Sequence, residues 1–273
     1  LVLDDAAHSL GVGAILLTWG QPVVAAEFLE ADCVRADPGA SATAAALQAH
    51  ATWWTTAPEH ALDLVERTSR ILSADEGVEM VPVIGFESIT SASMLSVSSA
   101  RALALTDELR AAAALLGAMG DLRPDDPVAT SVSAWATKAL IDALTGDLVG
   151  ASEAADVAFA LALEGGWLGT PALAPAHLAR AVVLRWSGSR QDPWPSVADA
   201  AEISTRAGAW NLLRVCRAVA ALCGDVDRPS CSVDPGGTRV PLADQLVGCW
   251  RALRLLDDGE TAEARSLLTV TVP

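Results

Sequence analysis

Apolar residues recur at helical spacing along most of this chain, and period-two alternation of β-branched and aromatic residues is scarce. The pattern predicts helices and no large sheet. An apolar helix over Ala6–Trp19 comes first. Ser41–Thr56 and Glu59–Leu72 form a helical hairpin around Ala57-Pro58, with Pro58 in the first turn of the second helix. Ser91–Leu105 and Thr106–Met119 form another pair, and Thr130–Leu163 a third. Pro171–Ser187 pairs with Ser196–Ala207, Ala209–Cys223 is a single helix, and Pro241–Asp257 pairs with Glu260–Leu268. Pro124 and Pro127 mark a break near residues 121–128. Pro229, Pro235, Gly236 and Gly237 mark an irregular loop over 224–240.

Four junctions share one arrangement: an apolar helix end, a Gly, then a polar residue. They centre on Gly20, Gly146, Gly188 and Gly259, followed by Gln21, Asp147, Ser189 and Glu260. Gly past a helix end can adopt the left-handed conformation that closes it, and the polar residue can cap the next helix. Seven residues before these glycines stand Gly13, Ala139, Ala181 and Ala252. Five residues after three of them stand Ala25, Ala151 and Ala264. Small residues at fixed offsets on both helices let two backbones approach closely, as in tetratricopeptide-like (TPR-like) hairpins of about 34 residues. The expected fold is therefore all-α: one TPR-like domain over residues 1–273, an αα-hairpin superhelix (solenoid) of five to seven hairpins.

Composition sharpens this reading. Ala and Leu dominate, there are nine Trp and no Tyr, and Lys138 is the single Lys. An Ala-rich chain with Leu anchors suits closely packed helices. The net charge of −16 opposes direct contact with nucleic acid. Apolar runs such as Val12–Leu17 and Val157–Leu163 fall far short of the roughly 18 residues that cross a bilayer, and no signal peptide is visible before Ala6. A chain starting at Leu1 reads as a piece of a longer, cytoplasmic protein. Five Cys without any C-x-x-C indicate buried free thiols rather than a disulfide framework, with Cys216 and Cys223 on one helix face. The N-terminal helix is mostly apolar and shows no cap, so it is expected to pack on a preceding module or on a second copy, which makes a homodimer one expected assembly.

Motifs for catalysis are missing. His8, His50, His60 and His177 form no H-E-x-x-H or E-x-x-H set. The pairs Asp4-Asp5, Asp125-Asp126 and Asp257-Asp258 lack the third Asp of a D-D-x-x-D magnesium site and read as caps and solvated ends. Lys138 follows no Gly-rich loop, and no G-x-S-x-G occurs. Gly165-Gly166-Trp167-Leu168-Gly169 reads as a helix stop, and Gly11-Val12-Gly13 as a site of close helix packing. No catalytic residue, metal or cofactor is expected.

Binding chemistry rests on Trp and Arg. Most Trp are expected to fill helix interfaces, while a few on a concave face would stack on a ligand. Trp135, eleven residues before Gly146, occupies the position where the repeat favours a large aromatic. His177 and Arg180 share a helix side at i and i+3, and Arg214 with Arg217 and Arg251 with Arg254 repeat that spacing. Such residues either form a groove for an anionic or acidic partner or are solvated surface cations. The candidate binding residues are thus Trp135, His177, Arg180, Arg214, Arg217 and Arg251.

The junctions Gly146–Ala151 and Gly259–Ala264, together with the stretch Ala176–Ala207, resemble the helical-repeat sensor arm of LuxR-family, MalT-like ATP-dependent bacterial transcriptional regulators. The resemblance implies an all-α superhelix that receives a small-molecule effector or a protein partner and relays it to ATPase and DNA-binding modules. Neither a P-loop nor a basic recognition helix is present in this sequence. The expectation is a non-enzymatic signal-sensing or interaction region. The alternatives are a free-standing TPR-like scaffold and, third, an all-α enzyme with a site from scattered residues.

Overall fold

A computed structural model describes residues 5–18, 21–51, 58–74, 78–83, 92–118, 128–224 and 240–271. The protein is all-α, and no strand occurs among the described residues. Its helices are α1 (Ala6–Thr18), α2 (Pro22–Leu29), α3 (Asp32–Ala36), α4 (Pro38–His50), α5 (Pro58–Ala74), α6 (Ala92–Leu105), α7 (Leu109–Ala118), α8 (Val128–Thr145), α9 (Leu148–Gly165), α10 (Ala174–Trp186), α11 (Trp194–Arg206), α12 (Trp210–Leu222), α13 (Pro241–Asp257) and α14 (Thr261–Thr271). None of the described helices is long and apolar enough to cross a membrane. The junction at Gly20, the break near 121–128, Trp19, Trp53, Trp54, Cys231 and all but the ends of the 224–240 loop lie outside the described residues.

Local sequence explains most helix starts. Pro occupies the first turn of α2, α4, α10, α11 and α13, where its missing N–H costs nothing. Asp37 caps α4 by accepting from Ala40 N at 3.0 Å. Asp147 caps α9 by accepting from Gly150 N at 2.9 Å, as the junction pattern predicts. Gln21 makes no side-chain cap, and Ser189 lies upstream of an α11 whose N-cap is Pro193. The N-terminal helix is capped, contrary to expectation, and one side of it is covered within the chain. Asp5 caps it through Ala7 N at 2.9 Å, and α1 packs on α2, α3 and α4 through Leu10, Ala14 and Leu17. A methyl group on Gly13 would stand 2.5 Å from Leu29 Cδ2 of α2, whereas one on Gly11 meets nothing within 4 Å. Close packing thus accounts for Gly13 but not for Gly11.

Packing follows a recurring scheme. Each pair α1/α2, α4/α5, α6/α7, α8/α9, α10/α11 and α13/α14 packs internally. The second helix then touches the next first helix: α2 on α4, α5 on α6, α7 on α8, α9 on α10 and α11 on α12. First helices also touch in succession, α1 on α4, α4 on α6, α6 on α8, α8 on α10, α10 on α12, and α12 meets α13. Beyond this chain of neighbours, α13 returns to touch α6, and there burial first and the Asp107 carboxylate second push the Cys249 thiol pKa upward. Close approach is possible because the crossings are small: Ala139, Ala151, Ala181, Ala252 and Ala264 are all buried. The helices α4, α8, α10 and α12 are buried around most of their circumference.

At the junctions Gly146, Gly188 and Gly259 take φ of +94°, +71° and +84°. At the first of them, Gly146 N–H donates to Ala143 O and Asp147 N–H to Asp142 O, closing α8 by a six-residue loop. The α6–α7 turn has the same bonds, Asp107 N–H to Ala104 O and Glu108 N–H to Leu103 O, but Asp107 sits in the left-handed position at φ +74°. Ala100 and Ala112, seven before and five after it, are fully buried. Left-handed backbone costs an L-residue about 1–2 kcal/mol, and burial also raises the Asp107 pKa, a sign that the carboxylate is poorly solvated. Asp107→Gly is therefore expected to stabilise the chain by about 1 kcal/mol, read as a higher denaturant midpoint with unchanged m-value. A lower midpoint would show that the carboxylate makes up for its strain.

Candidate functional site

The sequence-derived candidates fall into separate places. Trp135 on α8 is half-buried and packs against the main core, as do Trp167, Trp194, Trp210 and Trp250. Trp186 is the exception, 49% exposed at the end of α10. His177 and Arg180 do share a side of α10, and they meet α9 and α11 there. The Arg180 guanidinium lies 4.1 Å from the Phe159 ring centroid and donates to Asp156 Oδ1 at 3.0 Å. His177 meets the same ring edge-on at 4.8 Å, with Nδ1 3.6 Å from Asp199 Oδ2. Burial lowers the His177 pKa, Asp199 opposes that shift and Arg180 reinforces it. Arg180 thus already has an acidic neighbour in Asp156, and the lowered pKa keeps His177 uncharged near pH 7 beside Asp199.

Arg214 and Arg217 lie half-buried on α12, between α10 and α13 in the packing order. Arg217 Nε is buried without a hydrogen-bond partner among the described residues. Arg251 is exposed on α13 and lines a cleft of about 790 Å³ with Gly224, Trp250, Arg254, Leu255, Asp258, Glu263 and Leu267. Two cations and two carboxylates surround an apolar floor supplied by Trp250, Leu255 and Leu267. Neither Arg251 nor Arg254 engages its side chain in an ion pair or hydrogen bond among the described residues. Their guanidinium groups can each take a carboxylate or phosphate in a two-pronged hydrogen bond. No hydrogen bond or ion pair joins the α10, α12 and α13 candidates to one another among the described residues.

Sequence reasoning missed a buried polar cluster. Arg101 on α6 is fully buried, 0% exposed. Its Nε donates to Thr137 Oγ1 of α8 at 3.4 Å, and the Thr137 hydroxyl in turn donates to Ser133 O at 2.6 Å. Its Nη1 lies 3.4 Å from His50 Nδ1 at the end of α4. Arg101 has only protons to offer, so Nδ1 accepts and the neutral ring carries its proton on Nε2. Burial first, and Arg101 second, lower the His50 pKa to about 3, while burial lowers that of Arg101 to about 9. The cluster ties three first helices together with a retained cation. Its only sequence signal was an Arg inside the otherwise small and apolar run Ser98–Leu105.

Among the described residues no group of three or more His, Cys, Asp and Glu is placed to hold a metal ion. Cys33, Cys216, Cys223 and Cys249 are free thiols, Cys216 buried beside Ser204 and the other three half-buried. Comparison with known proteins finds no matching family model, no matching curated protein and no matching solved structure.

Proposed function

We propose that this chain is a non-enzymatic sensing or interaction arm, a TPR-like superhelix of αα-hairpins that takes an anionic effector or partner in the α13–α14 cleft. The observation that carries this reading is the recurrence of one packing scheme, in which α4, α6, α8, α10 and α12 each seat on both members of the preceding pair. The buried alanines at constant offsets from left-handed turns, including Asp107, support it further. The scheme also bears on which surface is available. Inner helices spend their faces on packing, so ligand chemistry falls to edges such as the cleft, where Arg251 and Arg254 make no ion pair among the described residues. The resemblance to MalT-like sensor arms supplies a setting: in the cytoplasm, an effector that binds one arrangement of the arm more tightly would bias assembly of attached ATPase and DNA-binding modules.

The test is a thermal-melt screen of small carboxylates and phosphates against the wild type and the Arg251→Ala/Arg254→Ala double variant. A ligand at about a hundred times its Kd stabilises by about 2.7 kcal/mol. For a chain of this size that is a rise in Tm of roughly 5–10 °C. The expected result is a shift in the wild type that the double variant loses. Equal shifts in both proteins, or none from any compound, would reject the cleft as the sensing site.

A further inference from the structure

A second cavity lies where the end of α2 meets α3, α4 and α5. It holds about 230 Å³, room for about seven or eight waters at about 30 Å³ each. One face of α4 builds it. Ser41, Ala44, Ala45 and Gln48 follow at helical spacing, so a hydroxyl and an amide stand two turns apart with two small residues between them. The alanines leave the space open, and Leu29 of α2 adds an apolar wall. Two guanidinium groups reach the cavity from other helices, Arg35 from α3 and Arg67 from α5. Glu30, just past α2, holds Arg35 at 3.3 Å. Arg67 makes no ion pair among the described residues, and its Nη2 donates to Ser41 Oγ at 2.9 Å. The next residue, Thr68, is fully buried and holds α5 in place: its hydroxyl is shared between Leu64 O at 2.9 Å and Ala42 O of α4 at 3.4 Å. Two cations and one carboxylate leave this lining positive, in a chain of net charge −16.

We infer that this cavity binds a small oxyanion, a carboxylate or phosphate group on a body of few atoms. Ser41 is only 8% exposed. Its hydroxyl oxygen accepts from Arg67 and its proton has no acceptor among the described residues, so that proton serves the ligand. Arg67 keeps its remaining N–H donors for the same anion, and bonds from a guanidinium to an oxyanion are charge-assisted and about twice as strong as neutral ones. Gln48 supplies an amide to the far end of the ligand body. The volume excludes a nucleotide, and Leu29, Ala44 and Ala45 accept a short carbon chain. Glu30 works against the anion, both by its own charge and by holding Arg35, so it sets the affinity below what two free cations would give. This site shares no lining residue with the α13–α14 cleft and does not depend on the repeat reading.

Isothermal titration of the whole chain with succinate and with inorganic phosphate tests it. Salt is held at about 0.15 M, where charges beyond roughly 8 Å are screened, so a variant reports local contacts and not net charge. At least one of the two anions is expected to bind with a Kd of about 1 mM or tighter. Succinate alone assigns the site to carboxylates, phosphate alone to phosphoryl groups, and both to oxyanions in general. Arg67→Ala should weaken binding about ten- to hundredfold, and Ser41→Ala about two- to tenfold. Glu30→Gln should tighten it several-fold, because it removes a repelling charge and frees Arg35, a gain that a merely structural role would not produce. Arg67→Gln repeats the first arm should Arg67→Ala fold poorly, as judged by its helical circular dichroism. Three results overturn the proposal: neither anion binds, Arg67→Ala binds as the wild type does, or Glu30→Gln fails to tighten binding. The Arg251→Ala/Arg254→Ala double variant separates this site from the cleft. Loss confined to that variant overturns this site and leaves the cleft standing. Loss confined to Arg67→Ala supports this site alone, and two binding events, one removed by each variant, support both.

Discussion

Acidification from about pH 7 to about pH 4 is expected to cost this fold about 3 kcal/mol through His50 alone. In the folded chain burial and the neighbouring Arg101 hold the His50 pKa near 3, against an ordinary value of 6.5. Between those values the unfolded chain binds the proton and the folded chain does not, so each pH unit lost favours unfolding by about 1.4 kcal/mol. The contribution is complete above about pH 6.5 and is lost as the pH falls toward 3. His177, whose pKa burial also lowers, adds to the loss with the same sign. Asp107 has the opposite sign: its raised pKa stabilises the fold at low pH, and that stabilisation fades as the carboxylate ionises. The measurement is urea unfolding at a series of pH values for the wild type and for His50→Gln. Gln can still accept from Arg101 but does not titrate, so the stability of His50→Gln should fall far less steeply over this window. Parallel slopes for the two proteins would remove His50 as the cause.

The extent to which this fold could be read from its sequence depended on how local each signal is. Helices and their turns are short-range structures, and their chemistry is written in neighbouring residues. Pro58 in a first turn, Asp147 as a cap, and Gly146, Gly188 and Gly259 past helix ends marked boundaries that the structure reproduces. The α6–α7 junction escaped the same pattern because Asp107 occupies the glycine position. The small-residue spacing nevertheless holds there, with Ala100 seven before and Ala112 five after Asp107. The short α3 escaped too, since five residues cannot show a helical period. Long-range placement was less legible. Spacing put His177 beside Arg180, but nothing in one sequence says that Phe159, Asp156 and Asp199 from two other helices surround them. Likewise α4, α6 and α8 bring His50, Arg101 and Thr137 together across dozens of residues, and an isolated Arg or His in sequence carries no mark of burial.

Arg101→Ala is expected to lose about 3–5 kcal/mol of stability, the range for deleting a large and fully buried side chain. Arg101→Met should lose distinctly less, and the comparison separates volume from charge. With its pKa lowered only to about 9, Arg101 remains a cation at neutral pH, so the native fold carries the cost of holding a charge away from water. Its bonds to Thr137 and His50 offset part of that cost. Met fills much of the same space between α4, α6 and α8 and needs no counter-charge, so it gives up the bonds and the desolvation cost together. Ala gives up the bonds and leaves a void as well. Both variants also remove the cation facing His50. Burial alone then lowers the His50 pKa, and the acid-sensitive window should begin at the same pH but end at a higher one. Denaturant unfolding of both variants at neutral pH and in mild acid reads all of these effects. Equal losses for Ala and Met would overturn the volume argument and assign the stability of this three-helix junction to the charge of Arg101 itself.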